Sequence, residues 1–305
     1  AAQLAAMLLS FVLFLLMVER VSRGRARYNN TTGRNRPLAG ARLGGLGSLL
    51  AVAACSLPLV LGFVLPAVLL LKMALTEGDA QFGERFLLLS RNSFLLAGIT
   101  ACIGVLLALL MAYGARLSKS TLASGLNRLV GLGYAVPGAV IAVGVLIPVT
   151  RLDNWLAGQW EHWFGSNPGL LLTGGIAALI YAYLVRFLAV ALHTVESSLA
   201  KITPNMDDAA RCLGLGQGET LRRVHAPMLR GSLFTAGLLV FVDVMKELPA
   251  TLVMRPFNFD TLATQTYTLA ADERLAEAST AALAIVAVGL LPLIALSRQV
   301  SRARK

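Results

Sequence analysis

The feature that most constrains this chain is a series of long apolar segments separated by short polar ones. Six windows, each about 20 residues long, carry little charge: 46–71, 93–113, 129–149, 169–191, 232–252 and 280–296. A seventh, 3–18, begins near the first residue. About 20 apolar residues form a helix that crosses a hydrocarbon core of about 30 Å. The sequence therefore predicts an all-α, polytopic transmembrane helix bundle with about seven spans.

The composition supports a membrane protein, since 56% of the residues are hydrophobic and only 14% are charged. A soluble domain has about 25% charged residues. Several windows contain proline, which transmembrane helices tolerate because neighbouring helices satisfy the freed backbone groups. These prolines are Pro58, Pro66, Pro137 and Pro292.

Basic residues are distributed unevenly among the polar segments, and their positions predict the topology. Segments 19–42, 116–128 and 191–230 and the tail after residue 296 contain most of the 27 Lys and Arg residues. Because positive residues favour the cytoplasm, we expect these segments and the C-terminus on the cytoplasmic side of the membrane. The same rule explains the basic run at 20–42 as a topology anchor, and no nucleic acid partner is predicted.

The sequence contains no pattern that is typical of a metal-binding or cofactor-binding site. The three histidines and three cysteines are scattered, without the spacing of a zinc site or a disulfide framework. We therefore predict neither a metal site nor a cofactor in this chain.

A polar segment between two apolar windows carries the signals of a short helix. Thr203 can cap the free amides and Pro204 suits the first helical position. Asp207 and Asp208 fall in the first turn, where the helix dipole favours acids, and Gly214 can end the helix. We expect about two to three turns, then a turn and a second helix with apolar residues at helical spacing. Those residues are Leu221, Val224 and Met228.

The spacing of this segment resembles the EAA signature of permease subunits of ATP-binding-cassette importers. That signature runs acid-Ala-Ala, three residues, Gly, nine residues, an aliphatic residue, one residue, then Leu-Pro. The matching residues here are Asp208, Ala209, Ala210, Gly214, Val224 and Pro227. Asp208 replaces the usual Glu, and Ala226 replaces the usual Leu.

The resemblance implies a type I, MetI-like permease fold in which residues 203–228 form a cytoplasmic coupling loop. In that family the loop docks into an ATPase subunit dimer and transmits its motion to the membrane helices. The coupling residues implied are Asp208, Ala209, Ala210, Leu213, Gly214, Val224 and Pro227. A surface loop that only joins two helices is the alternative interpretation.

The chain itself lacks a recognisable nucleotide site. Its nearest approach to a phosphate-binding loop, GARLSKS at 114–120, is one residue short and has Ser118 in place of the second glycine. We therefore expect ATP and Mg to bind a separate ATPase polypeptide and predict that this chain is not an enzyme.

Charged residues occur inside two apolar windows, where they are costly and usually face a bundle interior or a wet cavity. Asp243, Lys246 and Glu247 are predicted to share one helical face, and Arg186 is a candidate partner for one of the acids. Either a buried ion-pair network or a lining of the translocation path would account for them.

A second resemblance concerns the run KELPATL at 246–252, RPFNFDTLA at 255–263 and Val136-Pro137-Gly138. It is similar to iron(III) importer permeases of the bacterial inner membrane, which implies ferric iron as cargo and a periplasmic binding protein as partner. Permeases of this type commonly fuse two six-helix halves, so a second permease half is implied.

On that basis we predict four regions. Residues 1–18 would be the last helix of a preceding half, 19–45 a basic cytoplasmic connector, 46–296 a six-helix permease domain and 297–305 a cytoplasmic tail.

Other functions remain open at this point. An importer permease for thiamine, a polyamine or an inorganic anion would fit the coupling signature equally well. An ion-gradient secondary transporter would use Asp243, Lys246 and Glu247 as its ion site. An intramembrane enzyme is disfavoured, because the windows lack histidine and catalytic carboxylate pairs.

Overall fold

The computed structural model describes residues 44–76, 83–118 and 120–303, with scattered positions between 3 and 22. Its contacts divide the chain into two compact units, residues 1–78 and 79–305. The predicted domain boundary at residue 46 stays a prediction. The proposed first helix and basic connector lie mostly outside the described residues.

Within the described residues the fold is helical and contains no strand. The first unit contains α1, Gly45–Thr76, which has a π-helical turn at Val60–Val64. The second contains α2 Glu84–Ser118, α3 Thr121–Gly131, α4 Gly138–Phe164, α5 Ala177–Leu199, α6 Pro204–Cys212, α7 Gln217–Met245, α8 Pro249–Met254, α9 Leu262–Ala271 and α10 Leu275–Ala303.

Six of the described helices are long and apolar enough to cross a membrane: α1, α2, α4, α5, α7 and α10. This confirms the predicted polytopic helix bundle. The seventh predicted span, 3–18, falls largely on residues that are not described.

The core of the second unit is formed where α2, α5 and α7 pack against one another. Small residues line the buried face of α2, and a Cβ added at Gly104 would meet Leu184 of α5 and Val240 of α7 at 3.7 and 3.9 Å. Close approach of this kind is what small residues permit in membrane bundles.

The two ends of α2 contact different loops. Near its start, Asn92 donates to the Asp260 carbonyl and the Ser93 hydroxyl accepts from the Leu262 amide. Near its end, Arg116 contacts the segment that joins α5 to α6. At 1.5 Å per residue these contacts lie about 35 Å apart along the helix, enough to cross the hydrocarbon core. The two loops therefore lie at opposite ends of the bundle.

The predicted span 129–149 is wrong as a single helix. Its first residues end α3, a 3-10 turn follows at Gly133–Ala135, and α4 begins at Gly138. Pro137 explains the break, because it disfavours helical geometry in the preceding residue and Val136 is extended there.

The predicted span 232–252 also contains a break. Helix α7 ends at Met245, and the short α8 begins at Pro249. Pro249 has no amide to donate to a preceding turn, so the helix cannot continue through it. The prediction that Asp243, Lys246 and Glu247 share one helical face is therefore wrong.

The predicted span 169–191 begins too early, because residues 165–176 form turns and α5 begins only at Ala177. Asp153 of α4 holds this segment from a fully buried position. Its carboxylate accepts the amides of Leu171, Leu172 and Thr173 at 2.7 to 3.0 Å, and the Thr173 hydroxyl at 2.6 Å. One carboxylate thus accepts hydrogen bonds from three backbone amides. In a helix these amides would donate to backbone carbonyls instead.

We predict that Asp153→Ala lowers the stability of the purified protein by about 1–3 kcal/mol, because it leaves three backbone amides without the acceptor they have in the fold. The measurement is the thermal unfolding midpoint in detergent, followed by tryptophan fluorescence. Glu161→Ala, an exposed carboxylate on the same helix, is the matched control and should be near neutral. Equal shifts for both variants would contradict the assigned role.

Candidate functional site

Helix α6 has a defined start and end. Pro204 occupies the first turn and Thr203 is extended, but the Thr203 side chain makes no capping bond. The expected side-chain cap is therefore wrong, and the Thr203 carbonyl instead accepts the Met206 amide at 3.1 Å. Gly214 follows the helix at φ +80°, which confirms the predicted stop.

Two backbone bonds close the C-terminus of α6. The Gly214 amide donates to the Arg211 carbonyl at 2.9 Å, and the Leu215 amide donates to the Ala210 carbonyl at 3.0 Å. This pair of bonds is a Schellman motif, which requires a left-handed residue at the position of Gly214.

The two faces of α6 differ in exposure. Met206, Ala209 and Leu213 follow helical spacing on the outer face, where Leu213 is 80% exposed and Met206 40%. Ala210 is buried, so of the two alanines predicted to face a partner only Ala209 is exposed. The outer face is therefore apolar and uncovered within the described part of the chain.

Asp207 and Asp208 are adjacent in the sequence, but their side chains differ in exposure and in hydrogen-bond partners. The Asp208 side chain is 67% exposed and pairs with Arg211 at 3.4 Å, an exposed contact of little energetic weight. The Asp207 side chain is 19% exposed, and one of its oxygens accepts from Arg116 at 2.7 Å. Asp207 is the acid that attaches α6 to the rest of the unit.

Arg116 binds three acceptors on the α5–α6 connection. Besides Asp207, its guanidinium donates to the carbonyls of Leu199 and Ile202 at 2.9 and 3.0 Å. These carbonyls lie at and just after the end of α5, where helix termini leave acceptors unsatisfied.

Helix α7 approaches the same carboxylate from another side. His225 is fully buried, and its Nε2 lies 3.1 Å from the second oxygen of Asp207. The ring of His225 also meets Tyr113 of α2 edge to face, with centroids 5.6 Å apart. The Tyr113 hydroxyl donates to the Gln217 carbonyl at 3.0 Å, at the start of α7.

The remaining predicted coupling residues lie in α7. Val224 is half-buried within a π-helical turn, Leu221–His225, and Pro227 is exposed one turn later. The predicted helix-turn-helix is thus present, with Gly216 extended just before α7.

A second polar cluster joins α5 to the segment between α7 and α8. Arg186 donates to both Glu247 oxygens at 2.8 Å, which confirms Arg186 as partner of one of the predicted acids. The Glu247 side chain is 6% exposed, and it also accepts the Ala250 amide at 3.2 Å. The cluster continues through Thr251, whose hydroxyl donates to the Glu247 carbonyl and lies 2.6 Å from the Tyr183 hydroxyl.

The other two predicted charges form a separate pair. Lys246 lies 2.9 Å from Asp243, and its side chain is 58% exposed. Helix α7 ends at Met245, so Lys246 caps the helix while Glu247 lies beyond it, and the Lys246 side chain is exposed where that of Glu247 is buried.

Gly138 lies against the Arg186–Glu247 pair at the first position of α4. A Cβ there would lie 2.3 Å from Arg186 Nη1 and 2.4 Å from Glu247 Oε1. No side chain can occupy this position without displacing the pair.

The RPFNFDTLA run folds into a tight loop followed by α9. Arg255 pairs with Asp260, Asn258 adopts φ 60°, and the Thr261 and Thr264 side chains form a capping box. Phe257 is 94% exposed at the tip of this loop.

The sequence interpretation missed Arg116, His225 and Asp153. In the sequence, Arg116 is one of the basic residues that predict topology, and Asp207 is an acid that suits the helix dipole. Each missed residue is a charge or a histidine beside an apolar window. Its partner lies 18 to 91 positions away in the sequence, so local spacing does not reveal the contact.

Comparison with known proteins assigns most of the second unit to one family. Residues 104–305 match the family described as "Binding-protein-dependent transport system inner membrane component". The "Fe(3+)-transport system permease protein FbpB 2" of Haemophilus influenzae is 26% identical over 98% of this chain. The chain spans 56% of that relative's length.

Two further similarities agree with this family. The "Putative 2-aminoethylphosphonate transport system permease protein PhnV" of Salmonella typhimurium is 25% identical over 68% of this chain and 69% of its own. A chain in the crystal structure of a bacterial ABC transporter that imports alginate superposes with a TM-score of 0.61 at 17% identity. That superposition covers 83% of this chain and 95% of the other, and it confirms the fold.

We predict that Gly138→Ala destabilises the protein by about 1–3 kcal/mol, the scale of overpacking a filled site, because the ends of the Arg186 and Glu247 side chains must shift. Gly144→Ala is the matched control, because it lies on the same helix and its added Cβ would meet nothing within 4 Å. That substitution should be neutral or should stabilise the helix. The measurement is the thermal midpoint of both variants in detergent, and a control as unstable as Gly138→Ala would refute the steric argument.

Proposed function

The chain belongs to the family of binding-protein-dependent transport system inner membrane components, and from this premise we propose that it is a permease half of an ATP-driven ferric iron importer. The family is one of transport permeases of ABC importers and not of enzymes. We further propose that residues 203–228, which contain α6 and the start of α7, form a coupling loop between this bundle and a separate ATPase dimer, where ATP and Mg bind.

The observation that carries the proposal is the pair of opposed faces on α6. Its inner face is fixed to the bundle through Asp207 and Ala210, while its outer face presents Met206, Ala209 and Leu213 without a cover in the described residues. A rigidly attached helix with an uncovered apolar face suits a surface that docks into another protein. The topology predicted from the basic residues puts this face in the cytoplasm, where an ATPase would be available.

A second permease half completes the proposed assembly. The chain spans about half the length of the Haemophilus influenzae relative, which supports a pathway formed between two such halves. A periplasmic binding protein would deliver the cargo at the opposite end of the bundle, where the RPFNFDTLA loop lies. One solved alginate transporter structure holds a substrate-bound periplasmic protein of this kind.

Ferric iron is favoured by the relatives and by the KELPATL and RPFNFDTLA runs. The named ferric permeases include the Haemophilus influenzae protein and the "Ferric transport system permease protein FbpB" of Actinobacillus pleuropneumoniae, which is 26% identical over 63% of this chain. The second candidate cargo is 2-aminoethylphosphonate, which the name of the Salmonella relative supports.

Of the residues predicted to line the path, the Asp243–Lys246 pair fits that role better than the Arg186–Glu247 pair, because its lysine is exposed. Both Glu247 oxygens accept from Arg186 and one of them also accepts the Ala250 amide, so the geometry of this carboxylate supports a packing role. Lys246 is 58% exposed beside Asp243, and we propose this pair as the polar contact of the path.

We predict that Asp208→Lys, and separately Gly214→Val, abolish cargo uptake while ATP hydrolysis by the complex continues. The first reverses the charge beside the docking face, and the second places a β-branched residue at φ +80°. Uptake and ATPase activity are measured together in proteoliposomes that contain the permease, the ATPase and the binding protein.

The control for charge reversal is Asp272→Lys, an exposed acid in the turn after α9. It should retain full uptake. Normal uptake in both test variants, with an assembled complex, would refute the coupling assignment.

We predict that deleting the gene reduces uptake of radioactive ferric iron at least tenfold and leaves uptake of 2-aminoethylphosphonate unchanged. Complementation with the full-length gene should restore iron uptake. The reverse pattern would select the phosphonate importer. Uptake that follows a pH gradient and persists without ATP would instead identify a secondary transporter.

A further inference from the structure

We propose that Arg116 and Asp207 are positioning residues that form a joint, through which movement of α6 reaches the membrane helices. The inference rests on the proposed coupling function and deepens it. The exposed acid of the signature, Asp208, would face the partner, whereas its neighbour Asp207 would carry the motion inward.

The contacts of Asp207 support this division. Its two oxygens meet side chains from two membrane helices: Arg116 of α2 at 2.7 Å and His225 of α7 at 3.1 Å. In contrast, within the described ranges Asp208 meets only Arg211, which lies on α6 itself. A displacement of α6 therefore acts on α2 and α7 through Asp207 and leaves the Asp208 pair unchanged.

Arg116 extends the joint to a third helix. Its guanidinium binds Asp207 together with the carbonyls of Leu199 and Ile202 at the end of α5. The planar guanidinium can hold several acceptors in fixed directions, which an ammonium group cannot do. The same side chain thus links α2, α5 and α6.

Tyr113 and His225 close the other side of the joint. The Tyr113 hydroxyl binds the Gln217 carbonyl at the start of α7, and its ring contacts His225. The segment that holds α6 is therefore fixed to α2 at both of its ends, by Arg116 before α6 and by Tyr113 after it.

Helix α2 can carry the motion to the opposite end of the bundle. About 35 Å away along the same helix, Asn92 and Ser93 hold the Asp260 carbonyl and the Leu262 amide. A shift of α2 would change both loops at once. This gives the two ends of the bundle a shared rigid element, which coupling between distant sites requires.

The test compares Asp207→Asn and Arg116→Gln with Arg274→Gln and Glu277→Gln, which neutralise an ion pair at the start of α10, outside the coupling loop. Each permease is assembled with its ATPase and binding protein in proteoliposomes. The readout is the number of cargo molecules taken up per ATP hydrolysed, with ferric iron as probe and 2-aminoethylphosphonate if the wild type does not move iron. Arg116→Lys tests whether the multiple bonds of the guanidinium are needed.

We expect the uptake per ATP to fall at least about fivefold in Asp207→Asn and in Arg116→Gln. The double variant should lose less than the product of the two single losses, because both single variants remove the Arg116–Asp207 contact. Arg116→Lys should recover only part of the loss, and uptake per ATP should change less than twofold in the two α10 control variants.

Three results would overturn the proposal. The first is unchanged uptake per ATP in assembled Asp207→Asn and Arg116→Gln complexes. The second is an equal loss in the two α10 control variants. The third is failure of every joint variant to fold or assemble, which would assign the pair a purely structural role. A wild-type complex without ATP-dependent uptake of either probe would instead refute the proposed function.

Discussion

Close packing of α2 against α5 and α7 is the constraint on which the rest of the second unit depends. Apolar side chains gain little from leaving lipid for a helix interface, so such helices associate through close contact between small residues and through polar bonds. Gly104 provides that contact where α2 meets both other helices. Since α2 is a single 35-residue helix, its packing also fixes the positions of the polar groups at its two ends.

The polar groups of the bundle follow from the same constraint. Buried charges are costly without partners, and the carboxylates of Asp153, Asp207 and Glu247 each meet several groups from other segments. Two of them occur where a helix is interrupted: Asp153 holds the turns before α5, and Glu247 accepts an amide at the start of α8. These carboxylates replace the backbone acceptors that a continuous helix would have supplied.

The sequence predicted the class of fold, six of the long helices and the short helix before Gly214, because these depend on local composition and spacing. Three predicted spans have wrong bounds: Pro137 and Pro249 interrupt two apolar windows, and in the third Asp153 holds residues 171–173 outside a helix. The roles of Asp207 and Asp208 could not be separated from sequence, because two adjacent acids differ only in which helix each one meets. The sequence predicted Arg186 as the partner of one of the two acids, Asp243 and Glu247. Glu247 is that partner because the helix breaks after Met245, so Glu247 does not continue the face that carries Asp243.

The position of Gly138 links the packing of the bundle to the question of cargo. Two oxygens of Glu247 and one nitrogen of Arg186 are already used within the pair, and the absence of a side chain at Gly138 lets α4 lie directly against them. A cargo ion that bound Glu247 would have to break this arrangement and separate α4 from α5. If the chain passes an ion, as proposed, that ion would therefore meet exposed residues such as Lys246, whereas Glu247 and Thr251 of the KELPATL run serve the packing of the helices around them.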